Sequence, residues 1–160
     1  LWDRLKKTYL LYITLVKTTC GVFLINPTKQ ILICHPTYHS VTEWTIPKGI
    51  KEENEDYTDA AIRELKEETT IDFYQYTGEK LDLGLINYTH NQKQLFAFAF
   101  FCDQYIDKKL TCVSMVEPMN NQGSEPFPEV DEFLWVDYKT AMTKLHYTQQ
   151  TLLEKIKHRF

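Results

Sequence analysis

The order of apolar and polar positions divides the chain into short extended runs and two helical stretches. Residues 19–25 (TCGVFLI) and 30–34 (QILIC) are apolar runs rich in β-branched side chains. Asn26-Pro27-Thr28-Lys29 separates them, which predicts two strands joined by a turn. Thr42 to Ile46 reads as a short extended piece ending in a Pro47-Lys48-Gly49 turn. The proline biases Ile46 towards extended backbone, and the glycine accepts angles closed to other residues. Spacing is helical from about Tyr57 to Thr69. Further strands are predicted at 81–88, at 94–102, where LFAFAFF is short and aromatic, and at 131–136. Pro118, Gly123, Pro126 and Pro128 make 117–129 a loop. From Tyr138 onward, Ala141, Leu145, Leu152, Leu153 and Ile156 recur at helical spacing, predicting one closing helix interrupted near His146-Tyr147. Strands before, between and after two main helices predict an α/β fold with a mixed sheet covered on both faces.

Composition narrows the class. With 43% hydrophobic and 25% charged residues among 160, the chain has enough apolar material for one packed domain and is no disordered polyampholyte. The formal net charge of −4 and the lack of a basic stripe exclude the electrostatic footprint of a duplex nucleic-acid binder. A small anionic substrate remains open if a metal supplies positive charge. Cys20, Cys34, Cys102 and Cys112 fall in apolar stretches with no zinc spacing, so buried thiols in a reducing compartment are expected. Tyr9 to Val16 is apolar but too short to span a bilayer, and no small-residue cleavage site accompanies it. The expectation is a cytoplasmic protein without membrane attachment, its oligomeric state open. Leu1 stands where Met would open a complete chain, which reads as a fragment or a processed product.

The predicted 57–69 helix carries the chemistry. At about 100° per residue from Ala60, Ala61, Ile62, Leu65 and Thr69 fall between about 100° and 200° and form the buried stripe. Glu64, Glu68 and Glu67 fall at about 40°, 80° and 340°, with the small Ala60 between them. A solvated face is the ordinary reading of a charge run. A helix built for solubility, however, would alternate Lys with Glu, and Lys66 lies on the far side at about 240°. Three carboxylates on one arc repel unless protonated or metallated, so a hard oxygen site for Mg²⁺ is expected. Arg63 lies beside the arc and reaches Glu67 at i,i+4.

Gly49, Glu55 and the run Arg63-Glu64-Leu65-Lys66-Glu67-Glu68-Thr69-Thr70-Ile71 together resemble the signature of the Nudix hydrolases, G-x5-E-x7-R-E-U-x-E-E-x-G-U with U aliphatic. One position departs: Thr70 stands where the family has glycine. A β-branched residue on left-handed backbone there would cost roughly 1–2 kcal/mol, so the helix is expected to end slightly differently. The resemblance implies an α/β/α sandwich, with a mixed sheet between helices and a catalytic loop–helix–loop that binds Mg²⁺ or Mn²⁺. It implies Glu64, Glu67 and Glu68 as metal ligands, Arg63 as the structural partner that orients a glutamate, and Glu55 as a nearby outer carboxylate. Glu67, Arg63 and Glu55 are accordingly counted with the catalytic machinery.

Flanking segments extend the likeness. Trp44-Thr45-Ile46-Pro47-Lys48-Gly49 resembles the W-x-x-P-K-G approach of Nudix groups handling dinucleoside polyphosphates, diphosphoinositols and RNA 5′ ends. Lys48 is a candidate phosphate contact, and Trp44 is either a ligand-stacking or a core residue. Phe127-Pro128-Glu129-Val130-Asp131, Trp135 and the tail resemble a bacterial branch of MutT-like Nudix NTP pyrophosphohydrolases. The likeness covers about residues 17–157, leaving 1–16 as an N-terminal extension to a 17–160 domain. Glu129, six residues before Trp135, is the candidate general base, with Asp131 as fallback. Strand-end or loop placement accounts for His35, His39 and His90 without chemistry, and Tyr88 is not favoured as a base contact.

The expected function is metal-dependent hydrolysis of a phosphoanhydride in a nucleoside diphosphate linked to another group, slightly favouring dinucleoside polyphosphates. No Gly-x-Ser-x-Gly elbow offers a covalent route. The alternatives are an RNA 5′-pyrophosphohydrolase and a non-catalytic nucleotide-binding protein of the same fold.

Overall fold

The computed structural model describes residues 2–7, 16–76, 78–88, 90, 92–119 and 125–160. Gly123 and most of the apolar Tyr9–Val16 stretch lie outside the described residues. A short helix, α1, occupies residues 2–7. The remaining elements are β1 (Lys17–Ile25), β2 (Ile31–Pro36), β3 (Lys48–Ile50), α2 (Tyr57–Thr69), β4 (Lys80–Asn87), β5 (Lys93–Phe101), β6 (Met115–Val116), β7 (Phe127–Pro128), β8 (Val130–Val136), α3 (Tyr138–Lys144) and α4 (Tyr147–Glu154). Single 3₁₀ turns lie at Phe73–Gln75 and Lys157–Arg159.

Six strands form one mixed sheet in the order β4-β5-β1-β2-β8, with β3 also on β1. Only the β1–β5 pair is parallel. Period-two alternation sorts each strand to two faces. Phe23 and Ile25 of β1, Ile31 and Ile33 of β2 and Leu95, Ala97 and Ala99 of β5 pack with Ala141, Leu145, Leu152 and Leu153 of the C-terminal helices. Cys20, Val22 and Leu24, with Leu32, Phe98 and Phe100, pack with Ala60, Ala61 and Leu65 of α2. Helices thus cover both faces, as in the expected α/β/α sandwich, which is why these strands read as nearly unbroken apolar runs.

Several boundaries differ from the sequence reading. The β1–β2 hairpin pairs only at Ile25↔Ile31, and β2 runs on against β8 instead. The freed edge of β1 takes Lys48–Ile50 as β3, Thr19–Gly21 opposite, so the expected Pro47-Lys48-Gly49 turn is the start of a strand. Two-residue strands β6 and β7 pair across the predicted loop. The closing helix is two helices, because Leu145 (ψ 154) and His146 (ψ 146) are extended and the His146 side chain caps α4 by accepting from the Thr148 amide. All four cysteines are free and buried. Among the described residues no helix is long and apolar enough to cross a membrane.

Candidate functional site

The site begins where α2 does. Asp56 caps the helix, its carboxylate accepting from the Asp59 amide at 2.7 Å. The apolar side of α2 then seats against the sheet, and that docking carries part of the acidic arc inward with it. Glu64 is 6% exposed and Glu68 3%, whereas the Glu67 side chain is 41% exposed. Two of the three carboxylates are therefore interior groups, which a solvated face would not produce.

Arg63 is the positive centre among them. Its Nε donates to Glu55 Oε1 at 2.7 Å and its Nη2 to Glu55 Oε2 at 2.9 Å, a bidentate pair. Nη1 donates to Glu64 Oε1 at 2.6 Å and to Glu67 Oε2 at 3.1 Å, and Nη2 to the Ile50 carbonyl at 3.0 Å. All five guanidinium N–H groups are thereby engaged. Helical spacing anticipated the Glu67 contact alone; the other partners come from the 50–55 segment and from the adjacent Glu64. Glu55 also accepts from the Glu52 amide at 2.9 Å, which holds the loop leading into the helix. Hydrogen bonding to Arg63 keeps Glu55 below the usual carboxylate range.

Glu68 has a different partner. Its Oε2 accepts from the Lys48 backbone amide at 2.9 Å, so the first residue of β3 is tied to the last turn of α2. Burial pushes Glu68 up to about 8, opposed by Lys48 and reinforced by the nearby charges of Glu129 and Glu64. Burial also raises Glu64, against the pull of Arg63.

Gly49 is required for closeness and not for backbone angle. Among the described glycines only Gly84 has positive φ. A β-carbon on Gly49 would lie 2.0 Å from Glu64 Oε2 and 2.1 Å from its Cδ. The carboxylate of Glu64 thus occupies the space that any other residue's side chain would fill.

Thr70 does adopt the left-handed conformation, φ 63 and ψ 9, its amide donating to the Lys66 carbonyl at 2.8 Å. The expected change in the helix end does not occur. The 108–114 segment completes the cap instead: Lys108 donates to the Thr70 carbonyl, and the Val113 and Ser114 amides to that of Glu67 at 2.8 and 3.1 Å.

The late loop delivers Glu129 to this end of the helix, close enough for its charge to raise the proton affinity of both Glu64 and Glu68. Ser114 Oγ donates to Glu129 Oε2 at 2.8 Å, and the Glu129 amide donates to the Ser114 carbonyl at 2.9 Å. Nothing in the local sequence around Ser114 marks it as that partner. Asp131, the fallback base, is engaged elsewhere: its Oδ1 lies 2.7 Å from Nδ1 of the buried His35. Trp44 is 7% exposed and packs in the core, its indole N–H donating to the Val41 carbonyl at 3.2 Å. It nevertheless borders a cavity of about 390 Å³ that Lys48 also lines.

Among the described residues, no three His, Cys, Asp or Glu side chains converge closely enough to hold a metal ion. Arg63 Nη1 bridges Glu64 and Glu67 and so occupies oxygens of both. The donor set is still that of a hard divalent cation: carboxylate oxygens only, two of them buried and mutually repelling, with a glycine backbone making room.

Known proteins resemble this chain in sequence or in fold. One curated relative, Nudix hydrolase 2 of Arabidopsis thaliana, is 36% identical over 55 residues, covering 32% of this chain and 20% of its own length. The match thus spans about a fifth of that relative. Among solved structures, the E. coli dihydroneopterin triphosphate pyrophosphohydrolase superposes with a TM-score of 0.67 at 18% identity, covering 89% of this chain and 96% of that one. A C. elegans Ap4A hydrolase superposes with a TM-score of 0.61 at 18% identity, covering 88% and 96%. The NUDIX domain family matches residues 16–156, Gly49, Glu55 and the Arg63–Glu68 run among them, and the chain belongs to that family.

Proposed function

We propose that this Nudix domain hydrolyses a phosphoanhydride in a nucleoside diphosphate linked to a further group, with Mg²⁺ or Mn²⁺, releasing a nucleoside monophosphate. The observation that carries the reading is the pair of buried carboxylates, Glu64 and Glu68, held around Gly49 with no full complement of positive partners. Glu64, Glu67 and Glu68 would hold the cation. When bound, it neutralises phosphate charge and lowers the pKa of coordinated water. Arg63 fixes the orientation of Glu64 and Glu67 and is itself fixed by Glu55. Glu129, oriented by Ser114, accepts the proton of the attacking water. Lys48 offers a mobile point charge to a substrate phosphate while its backbone amide restrains Glu68.

Dinucleoside polyphosphates lead the substrate list because Lys48 adjoins a cavity large enough for a second nucleoside end. The test is a panel with product identification: nucleoside triphosphates, diadenosine polyphosphates, ADP-ribose, nucleotide sugars and 5′-triphosphorylated RNA, each with Mg²⁺ and with Mn²⁺. Release of a nucleoside monophosphate, lost in Glu68→Gln, is the expected result. No turnover across the panel refutes hydrolysis and favours a nucleotide-binding role.

A further inference from the structure

The cavity that Lys48 shares with the carboxylate site has walls from distant parts of the chain, among them the 42–48 segment, Tyr88 with the first residue of β5, Lys93, and the joint between α3 and α4. Each contributes a lysine or lies beside one: Lys48, Lys93 and Lys144. None of these ammonium groups forms an ion pair among the described residues. Lys144 Nζ instead lies 5.4 Å from the centroid of the Trp44 ring. Among the described lining residues the one carboxylate, Glu43, is already engaged by His39 at 2.7 Å. An acidic chain of net charge −4 thus surrounds one cavity with unpaired cations. Such a concavity concentrates anions.

Aromatic rings also line the cavity. Tyr88 and His146 contact each other there, with ring centroids 5.6 Å apart and planes inclined at 39°. Gln149, another lining residue, is 2% exposed and fixes the wall. Its Oε1 accepts from the Ile46 amide at 3.1 Å and its Nε2 donates to Thr45 Oγ1 at 2.9 Å. Trp44 and Leu145 also form a backbone bridge, so the lysine-bearing end of α3 is locked to the segment that carries Lys48. The cavity and the buried carboxylates meet at one residue: Lys48 lines the first and its amide holds the second.

We propose that this cavity binds the portion of the substrate beyond the cleaved bond and selects for additional phosphates there. Lys93 and Lys144 would meet phosphate oxygens, and Tyr88 and His146 would pack against an aromatic ring. This rests on the hydrolase reading above. A diphosphate-bridged compound such as ADP-ribose spends both phosphates at the carboxylate site and presents neutral ribose to the two lysines. A tetraphosphate-bridged dinucleoside presents two more phosphates and a second base. Selectivity therefore follows phosphate number and not the identity of a sugar.

The test compares Mg²⁺-dependent initial rates of the full chain on diadenosine tetraphosphate and on ADP-ribose, for wild type, Lys93→Ala, Lys144→Ala and the double variant. Each lost charge-assisted contact should raise KM for the tetraphosphate by about tenfold, and the double variant by about 10²-fold, with kcat little changed. KM for ADP-ribose should move by less than about twofold, and the discrimination should shrink as ionic strength rises. An equal rise on both substrates, or none on the tetraphosphate, overturns the proposal. The hydrolase reading stands or falls on the full panel above; where neither of these two compounds is turned over, calorimetric titration with inorganic tripolyphosphate decides about the cavity. Binding by wild type that is lost in the double variant supports it; absent or undiminished binding overturns it.

Discussion

Gly49→Ala separates the site from the scaffold. The new methyl would stand 2.0 Å from Glu64 Oε2, 2.1 Å from Cδ and 2.3 Å from Oε1. Ordinary contact distances require the carboxylate to retreat by about 1 Å or more. Its direction of retreat is constrained, because Glu64 is buried and its Oε1 is held by Arg63 at 2.6 Å. Backbone strain contributes nothing, since Gly49 is not left-handed. Loss of one charge-assisted bond costs about 1.5–3 kcal/mol, and the stiffer alanine restores about 0.4–1 kcal/mol by restricting the unfolded chain. The net of about 1–2 kcal/mol corresponds to a fall in Tm of roughly 2–8 °C for a chain of this size. Activity should suffer far more. A misplacement of about 1 Å in a catalytic constellation costs on the order of 10²-fold in kcat/KM. Circular dichroism melting, metal titration and Mg²⁺-dependent kinetics on one substrate measure these quantities together. A variant that melts a few degrees lower yet turns over at the wild-type rate would show that Glu64 has no part in the chemistry.

Three further outcomes are expected. Glu129→Gln should lower kcat by about 10²–10⁴-fold with little change in metal affinity, and Ser114→Ala should lower kcat less, with partial recovery in Ser114→Thr; unchanged kcat in Glu129→Gln would remove it as the base. Thr70→Gly should raise stability by up to about 1 kcal/mol in denaturant unfolding, because relief of left-handed strain exceeds the entropy cost of glycine; a loss would place the strain elsewhere. The hydrogen bond to Asp131 raises the pKa of His35 above 6.5, so its stabilisation is complete below pH 6.5 and is lost as pH rises through the folded-state value. Asp131→Asn should therefore destabilise the protein more at about pH 5.5 than at about pH 8.5, and equal losses at both would refute the pairing.

The acidic helix was legible in the sequence because its geometry is local. Thirteen consecutive residues wound at a fixed pitch put Glu64, Glu67 and Glu68 on one arc wherever the helix docks. The existence of β1 and β5 was legible for the same reason, as short apolar runs mark strands without reference to partners, whereas which face takes Phe23 and which Val22 came from the packed sheet. Burial was not legible either. Whether an acidic arc is solvated or interior depends on how far α2 sinks against β1 and β3, and only the packed fold makes Glu68 an interior acid tied to the Lys48 amide. Gly49 illustrates the difference. Its presence was readable, but its reason, a carboxylate from α2 resting where a β-carbon would be, is a contact between elements. The same holds for Ser114 against Glu129, for the lysines that three chain segments bring to one cavity, and for His35 and Asp131, which lie 96 residues apart. Sequence periodicity encodes the direction of each side chain relative to its own element. The sheet order and the docking of helices on it decide what that side chain meets, because those contacts form between residues whose separation along the chain leaves no local trace.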